Sequence, residues 1–423
     1  MSRPSVFRAL GPALILTLST AAQVPPAQLA GWVHPGGTAK SGRIELQNAS
    51  AGCRPAKTLC NGVLWPQSTI AGAAAYDARH HAVWVSDGTR LEEWSLSGCR
   101  KRCIAKPLIM AQGAEITGLA TSETPSLLWQ LESKRGYYGL LPYDKRRCPP
   151  VPLRGGCGVT LSNSRATAQG LAYDPVRNLL FYTVSEPGFL GFVETLFVAP
   201  AVVGKACKPI CKFRLRPCKV GQGPPITGLA YDACSQKLYL TNGDLTRVLL
   251  VKDPSRCRFV RLPCCSKQTL GSYRGLTVVP GWSKRTIGSP CIAKGCALCL
   301  GIAAALEGGT PALGNPDFAI SIHGAPLGSF GLLYLGVGKC SGGLKLPFLC
   351  GNFYPALAPT PPILLPVGVL HGSLQCTGTT RMPLPIPTDS VFCRLRLCAQ
   401  WLVFCGAVPA NGMTPAIEFT FAG

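Results

Sequence analysis

The cationic side chains of this chain come in short clusters of a kind that holds polyanions. Arg100-Lys101-Arg102, Lys145-Arg146-Arg147, Lys208 with Lys212, and Arg256 with Arg258 all fall in turn-rich stretches (GCRKR, DKRR, GKACKPICK and DPSRCR). One such cluster is an ordinary solvated turn. Clusters that recur at matching places in a repeat add into one field, and a positive field attracts acidic polysaccharide or phosphate-rich polymer largely through counterion release. Aromatic residues do not interleave the clusters, so sequence-specific nucleic acid is not an expected partner; a polyanion, or a protein partner, is. Nucleophile chemistry has little to build on. The five histidines are His34, His80, His81, His323 and His371, and there is no Gly-x-Ser-x-Gly elbow, P-loop or HExxH helix.

The clusters must be positioned by the elements between them. A Gly-apolar-Ala signature recurs at Gly72–Asp77 (GAAAYD), Gly118–Glu123 (GLATSE), Gly170–Asp174 (GLAYD) and Gly228–Asp232 (GLAYD), with a degenerate copy at Gly275–Pro280 (GLTVVP). The intervals, about 46 to 58 residues, fit one four-stranded antiparallel sheet per repeat and so predict a β-propeller. In strand order A to D, the A–B and C–D turns share one face, and the four basic clusters all fall on C–D turns. The N-terminal strand around Arg43–Gln47 lacks an A strand of its own. The economical closure joins Tyr273–Val279 and the strand after it to the N-terminal strands in one composite blade, giving five blades, or six if the N-terminal segment holds a further A–B pair.

Cysteines recur beside the same turns: Cys53 and Cys60, Cys99 and Cys103, Cys148 and Cys157, Cys207 and Cys211 with Cys218, and Cys257 with Cys264 or Cys265. The expected use is a disulfide across each outer hairpin, where paired strands bring Cα atoms to roughly 4.4–6.8 Å. Cys291, Cys296 and Cys299 form a C-x4-C-x2-C cluster for which zinc is the weaker alternative, because a closed site wants a fourth ligand.

Residues 1–22, with Arg3 and Arg8 ahead of an apolar run and small residues, have the order of a signal peptide. Twenty-two cysteines fit the oxidising destination that this implies, secreted or at the cell surface. No later run is long enough for a transmembrane span. Residues 22–300 carry 35 Lys and Arg against 15 Asp and Glu, whereas 301–423 carry 5 against 4. The texture changes with the charge. The expected organisation is therefore a basic, disulfide-rich propeller at 23–300, a small-residue linker at 301–312, and a β-sandwich accessory domain at 313–423, built from apolar runs such as Phe330–Val337, Phe392–Cys398 and Gln400–Phe404 separated by Gly/Pro turns.

The "GLAYD…LYLTNGD" segments resemble the TolB-like and low-density-lipoprotein-receptor-like propeller repeats. That resemblance implies a scaffold shared by binding modules and by hydrolases and lyases that hold a metal at the channel mouth with Glu, Asn and Asp. Asp87, Glu186 and Asp244 stand at comparable loop positions here. Ser86-Asp87-Gly88 and Asn242-Gly243-Asp244 are equally ordinary turn chemistry, so a non-catalytic binding or structural role without cofactor is the expectation and a metal-dependent, gluconolactonase-like hydrolase or lyase the alternative. The last quarter (LGNPDF, GAP, PLPIPT, Ala399-Gln400-Trp401) resembles an uncharacterised C-terminal domain of secreted planctomycete-type bacterial proteins, which implies an extracellular accessory module without implying chemistry.

Overall fold

The computed structural model describes residues 28–34, 42–48, 58–63, 72–188, 191–216, 225–242, 245–266, 272–292, 296, 299, 301–340, 342–346, 349–355, 362–405 and 411–422. The chain divides into two compact units, Pro26–Pro280 and the body of the C-terminal part, Gly281–Gly423. The expected signal peptide lies outside the described residues.

The first unit is a β-propeller. Among the described residues it holds five antiparallel sheets, here called blades one to five. Blade one is composite, in the order Ser272–Val279, Gln28–His34, Gly42–Asn48, Thr58–Val63; the strand after Val279, Lys284–Ile287, contrary to expectation pairs with Ala416–Thr420 in the second unit, and Gln28–His34 takes its place. Blade two runs Ala73–Asp77, Ala82–Ser86, Leu91–Ser95, Lys101–Ala105. Blade three runs Glu115–Ser122, Leu127–Lys134, Tyr137–Asp144, with Val151–Pro152 and Cys157–Thr160 both paired to the outer side of Tyr137–Asp144. Blade four runs Thr167–Asp174, Leu179–Gly188, Gly191–Pro200, Cys211–Leu215, and blade five Gly228–Asp232, Lys237–Thr241, Leu245–Asp253, Arg258–Ser266.

The repeated signature lies on the innermost strands, and its small residues explain the closure. A Cβ on Gly118 would fall 2.7 Å from the Cβ of Leu171, one on Gly228 2.8 Å from the Leu276 amide nitrogen, and one on Gly275 2.5 Å from the carbonyl carbon of Ala73. Each inner strand thus presses its backbone against that of the next blade, and the inner strands adjoin in a ring. Large side chains sit further out, between sheets. Trp84, Ile116, Leu119 and Tyr143 fill the space between blades two and three; Trp129, Tyr138, Leu180 and Tyr182 that between three and four; Leu29, Ala230, Tyr239 and Leu276 that between five and one. Because both faces of a blade are covered, strands such as Ala73–Asp77 and Gly228–Asp232 are buried along their whole length.

The outer-hairpin cysteines do not bridge their own hairpins. They join neighbouring blades: Cys60–Cys99, Cys103–Cys148, Cys157–Cys207 and Cys211–Cys257, with Cα separations of 5.3, 5.7, 5.9 and 5.5 Å. The reason is visible in the register. Cys103 lies opposite Glu93 and Lys101 opposite Trp94, so Cys99 and Cys103 stand on the same arm of the hairpin instead of facing each other. One reaches back to blade one and the other forward to blade three. Cys53 and Cys218 lie outside the described residues, as do the side chains of Cys264 and Cys265.

The second unit is an antiparallel β-sandwich. Its larger sheet has the order Lys284–Ile287, Ala416–Thr420, Arg396–Phe404, Phe330–Val337, Ile363–Val369, with Asn411–Met413 also on Arg396–Phe404 and Cys291–Ile292 beyond it. The smaller sheet is Ala303–Glu307, Ala319–Ala325, Gly378–Pro383. Buried Phe318, Trp401, Phe419 and Phe421 form the aromatic core, with Phe318 and Phe419 rings 5.6 Å apart. Two expectations change here. The unit boundary falls between Pro280 and Gly281, and Ala303–Glu307 is an edge strand paired with Ala319–Ala325 rather than a linker, because tertiary pairing overrides the weak strand preference of its alanines. Phe392–Cys398 and Gln400–Phe404 are not two strands; a 3-10 turn at Ser390–Phe392 leads into the single strand Arg396–Phe404. Cys291, Cys296 and Cys299, the weaker zinc candidate, are consumed in three separate disulfides, to Cys350, Cys405 and Cys376. Cys340–Cys398 adds a fourth. No cysteine is free among the described residues, and no helix among them is long and apolar enough to cross a membrane.

Candidate functional site

Blades two, four and five turn from the first to the second strand by the same device. The carboxylate of Asp77 accepts from the amides of Arg79 and His80, that of Asp174 from Val176 and Arg177, and that of Asp232 from Cys234 and Ser235. Four residues after each aspartate the backbone enters the left-handed region, at His81, Asn178 and Gln236 (φ 47°, 55° and 53°). The carbonyls of these three residues then accept from Leu96, Ala201 and Val251, at or next to the third-strand ends, at 3.0, 2.9 and 2.8 Å. In these three blades the A–B and C–D turns therefore lie side by side at one end of the sheet, and on blade two this puts His80 near the Arg100-Lys101-Arg102 cluster.

Nine of the ten predicted polyanion contacts are exposed: Arg100, Lys101, Arg102, Arg146, Arg147, Lys208, Lys212, Arg256 and Arg258. Four of these have a carboxylate beside them. Lys101 lies 2.8 Å from Glu92, Arg102 3.7 Å from Glu93, Arg146 2.6 Å from Asp144 and Arg256 3.6 Å from Asp253. Arg100, Arg147, Lys208, Lys212 and Arg258 have no carboxylate at ion-pair distance among the described residues; Lys212 instead lies 5.3 Å over the Phe197 ring.

Lys145 departs from the expectation. It is 3% exposed, and its amine lies 3.1 Å from Asp77 Oδ1 of blade two and 2.8 Å from Glu123 Oε1. The side chain turns inward to supply counter-charge to two buried carboxylates, and Glu123 also accepts from the Ala78 amide across the blade boundary at 3.0 Å. Burial alone would raise the Asp77 carboxyl, yet Lys145 and then His80 outweigh it and hold Asp77 well below the usual carboxylate range. Burial raises Glu123. Lys145 would be lowered by burial, but the two carboxylates more than reverse this and keep it charged.

His80 continues the network outward. Its Nδ1 lies 2.8 Å from Glu93 Oε1 and 3.5 Å from Asp77 Oδ2, and hydrogen bonding to Asp77 and then Glu93 pushes its pKa up to about 9. His81 faces the other way, against Tyr76 at 3.0 Å, and burial lowers it. Asp77, His80 and Glu93 were not singled out by the sequence as a group. The available signal was an Asp-x-x-His turn followed by a glutamate on the third strand of the same sheet.

Of the metal set implied by the propeller resemblance, Asp87 and Glu186 lie within the described residues, on different blades. Asp87 is fully buried and spends Oδ1 on the amides of Thr89 and Arg90 and the Thr89 hydroxyl, and Oδ2 on Arg90 Nε at 3.1 Å, so it closes its own turn. Glu186, on blade four, borders a separate cleft of about 270 Å3 with Tyr138, Thr160, Phe197 and Lys212. Asp244 lies outside the described residues. At the ring's centre Ala73, Ala74, Gly118, Gly170, Gly228 and Gly275 with their neighbours leave no room for a water molecule between them.

No family model matches the chain, and no curated protein matches it. Solved structures do. The chain is similar to the periplasmic gluconolactonase of Pseudomonas aeruginosa (8% identity, 60% of this chain and 99% of that one, TM-score 0.33). It is similar also to the Cps50 (Swd1) β-propeller domain of Myceliophteria thermophila (9% identity, 72% and 82%, TM-score 0.33). A third is a putative 6-phosphogluconolactonase from Bacteroides fragilis (7% identity, 60% and 98%, TM-score 0.33).

Proposed function

We propose that this is a non-catalytic binding or structural protein of the cell envelope or extracellular space, exported by its N-terminal segment, whose propeller holds polyanions on the face formed by the A–B and C–D turns. The observation that carries the reading is the set of exposed cations with no carboxylate at ion-pair distance among the described residues, Arg100, Arg147, Lys208, Lys212 and Arg258, spread over blades two to five at the same end of the sheets. Cations spread over neighbouring blades match a long charged polymer better than a small substrate, because a polymer can touch several at once and releases counterions at each contact. The packed axis supports the same reading, since an axial reaction site needs an opening there. Bridges between consecutive blades suit an oxidising compartment and resist blade separation when a polymer pulls on several blades.

The experiment is a titration of the oxidised protein with heparin and, separately, with inorganic polyphosphate at increasing NaCl. Affinity that falls steeply and linearly on a log–log scale supports the reading. Absent binding at low salt overturns it.

A further inference from the structure

We propose that Asp77 Oδ2, His80 Nδ1 and Glu93 Oε1 are the three protein ligands of a divalent transition-metal site on blade two. The three donor atoms lie within 4.8 Å of one another, the one such group of His, Cys, Asp and Glu among the described residues. Ligands held tetrahedrally at about 2.0–2.2 Å around one ion are separated from each other by roughly 3.3–3.6 Å. His80 Nδ1 stands 3.5 Å from Asp77 Oδ2, within that range, and 2.8 Å from Glu93 Oε1, a hydrogen-bond distance that opens by about half an ångström when an ion replaces the proton. An imidazole with two carboxylates suits zinc, cobalt or manganese.

The oxygens are divided as a metal site requires. Asp77 Oδ1 takes the turn amides and Lys145, while Asp77 Oδ2, buried, has no donor among the described residues besides the His80 ring, toward which it is turned at 3.5 Å. Glu93 Oε2 faces Arg102 at 3.7 Å, while Oε1 faces His80. Lys145 and Arg102 thus orient the carboxylates from behind, as outer-shell partners do around bound metals. The His80 side chain is 27% exposed, so the remaining coordination positions open to solvent, where water or an anionic group of a ligand can complete the sphere. The site goes beyond the polyanion reading and does not depend on it.

The test is titration of the chelator-treated, fully oxidised protein with Co2+, followed by its visible d–d absorption, and calorimetry with Zn2+. One ion per chain is expected, with affinity reduced at least tenfold in His80→Ala and in Glu93→Gln, and unchanged in His81→Ala and His323→Ala. His80 is on a partly exposed turn and Glu93→Gln is isosteric, so the unfolding midpoint without metal shows whether each variant is folded. A second readout is the rise of that midpoint with Zn2+, expected for the parent protein and absent in His80→Ala. No saturable ion, or binding that survives both substitutions in folded protein, overturns the proposal.

Discussion

Lys145 Nζ, on blade three, lies 3.1 Å from Asp77 Oδ1 on blade two, and neither side chain is more than 3% exposed. The contact joins the C–D turn of one blade to the A–B turn of its neighbour, inside the seam that Cys103–Cys148 closes covalently. Charge in a position that looked like surface therefore serves cohesion between blades.

Lys145→Met removes the cation and leaves Asp77 and Glu123 buried without it. Breaking a buried pair from one side costs about 3–5 kcal/mol, so chemical denaturation should show a loss of that order, whereas Arg147→Gln, on the exposed neighbour, should stay within about 0.5 kcal/mol. Equal, small effects would place Lys145 in solvent.

The covalent pattern is checked by peptide mapping of the unreduced protein. Crosslinked peptides should join Cys60 to Cys99, Cys103 to Cys148, Cys157 to Cys207 and Cys211 to Cys257. Recovery of Cys99 linked to Cys103 would restore the hairpin pairing and contradict the fold. Replacing Cys157 and Cys207 together by serine should lower stability by about 2–4 kcal/mol, as typical for a native bridge.

Close backbone approach at the inner ring predicts intolerance to a single methyl. Gly275→Ala would place its Cβ 2.5 Å from the Ala73 and Ala74 backbone, with no side-chain end to move aside. Overpacking of this kind costs typically about 1–3 kcal/mol. Gly98→Ala is a useful contrast, because its Cβ would meet nothing within 4 Å and only its backbone conformation (φ 91°) opposes the change. If Gly275→Ala unfolds at the parent's midpoint, the inner strands are not packed backbone to backbone.

The propeller was legible because its closure depends on small residues at a fixed place in each repeat. Gly118, Gly170, Gly228 and Gly275 recur for a steric reason that leaves a direct mark in the chain. The first copy was legible one residue out of register: Ala73 and Asp77 stand where Gly170 and Asp174 stand, each aspartate opening the same turn. Disulfide partners were not legible, since cysteines flanking one turn are close in sequence whether they pair with each other or with adjoining blades. Lys145 was hidden for a related reason. It sits in a Lys-Arg-Arg run, and only the fold brings Asp77 and Glu123 around it. The Asp77, His80 and Glu93 group depends likewise on strand register, which sets Trp84 opposite Glu93 and brings the third strand back over the turn.

The central claim is tested most directly by the salt dependence of polyphosphate binding in two charge-removed proteins. In the first, Arg100, Arg147, Lys208, Lys212 and Arg258 become Gln; in the second, the carboxylate-paired Lys101, Arg146 and Arg256 do. The account predicts weaker binding and a flatter slope of log affinity against log salt in the first, by on the order of one unit for each phosphate no longer neutralised, and a much smaller change in the second. Binding and slope unchanged in the first, with the fold intact, would contradict the account and return these residues to a role in solubility.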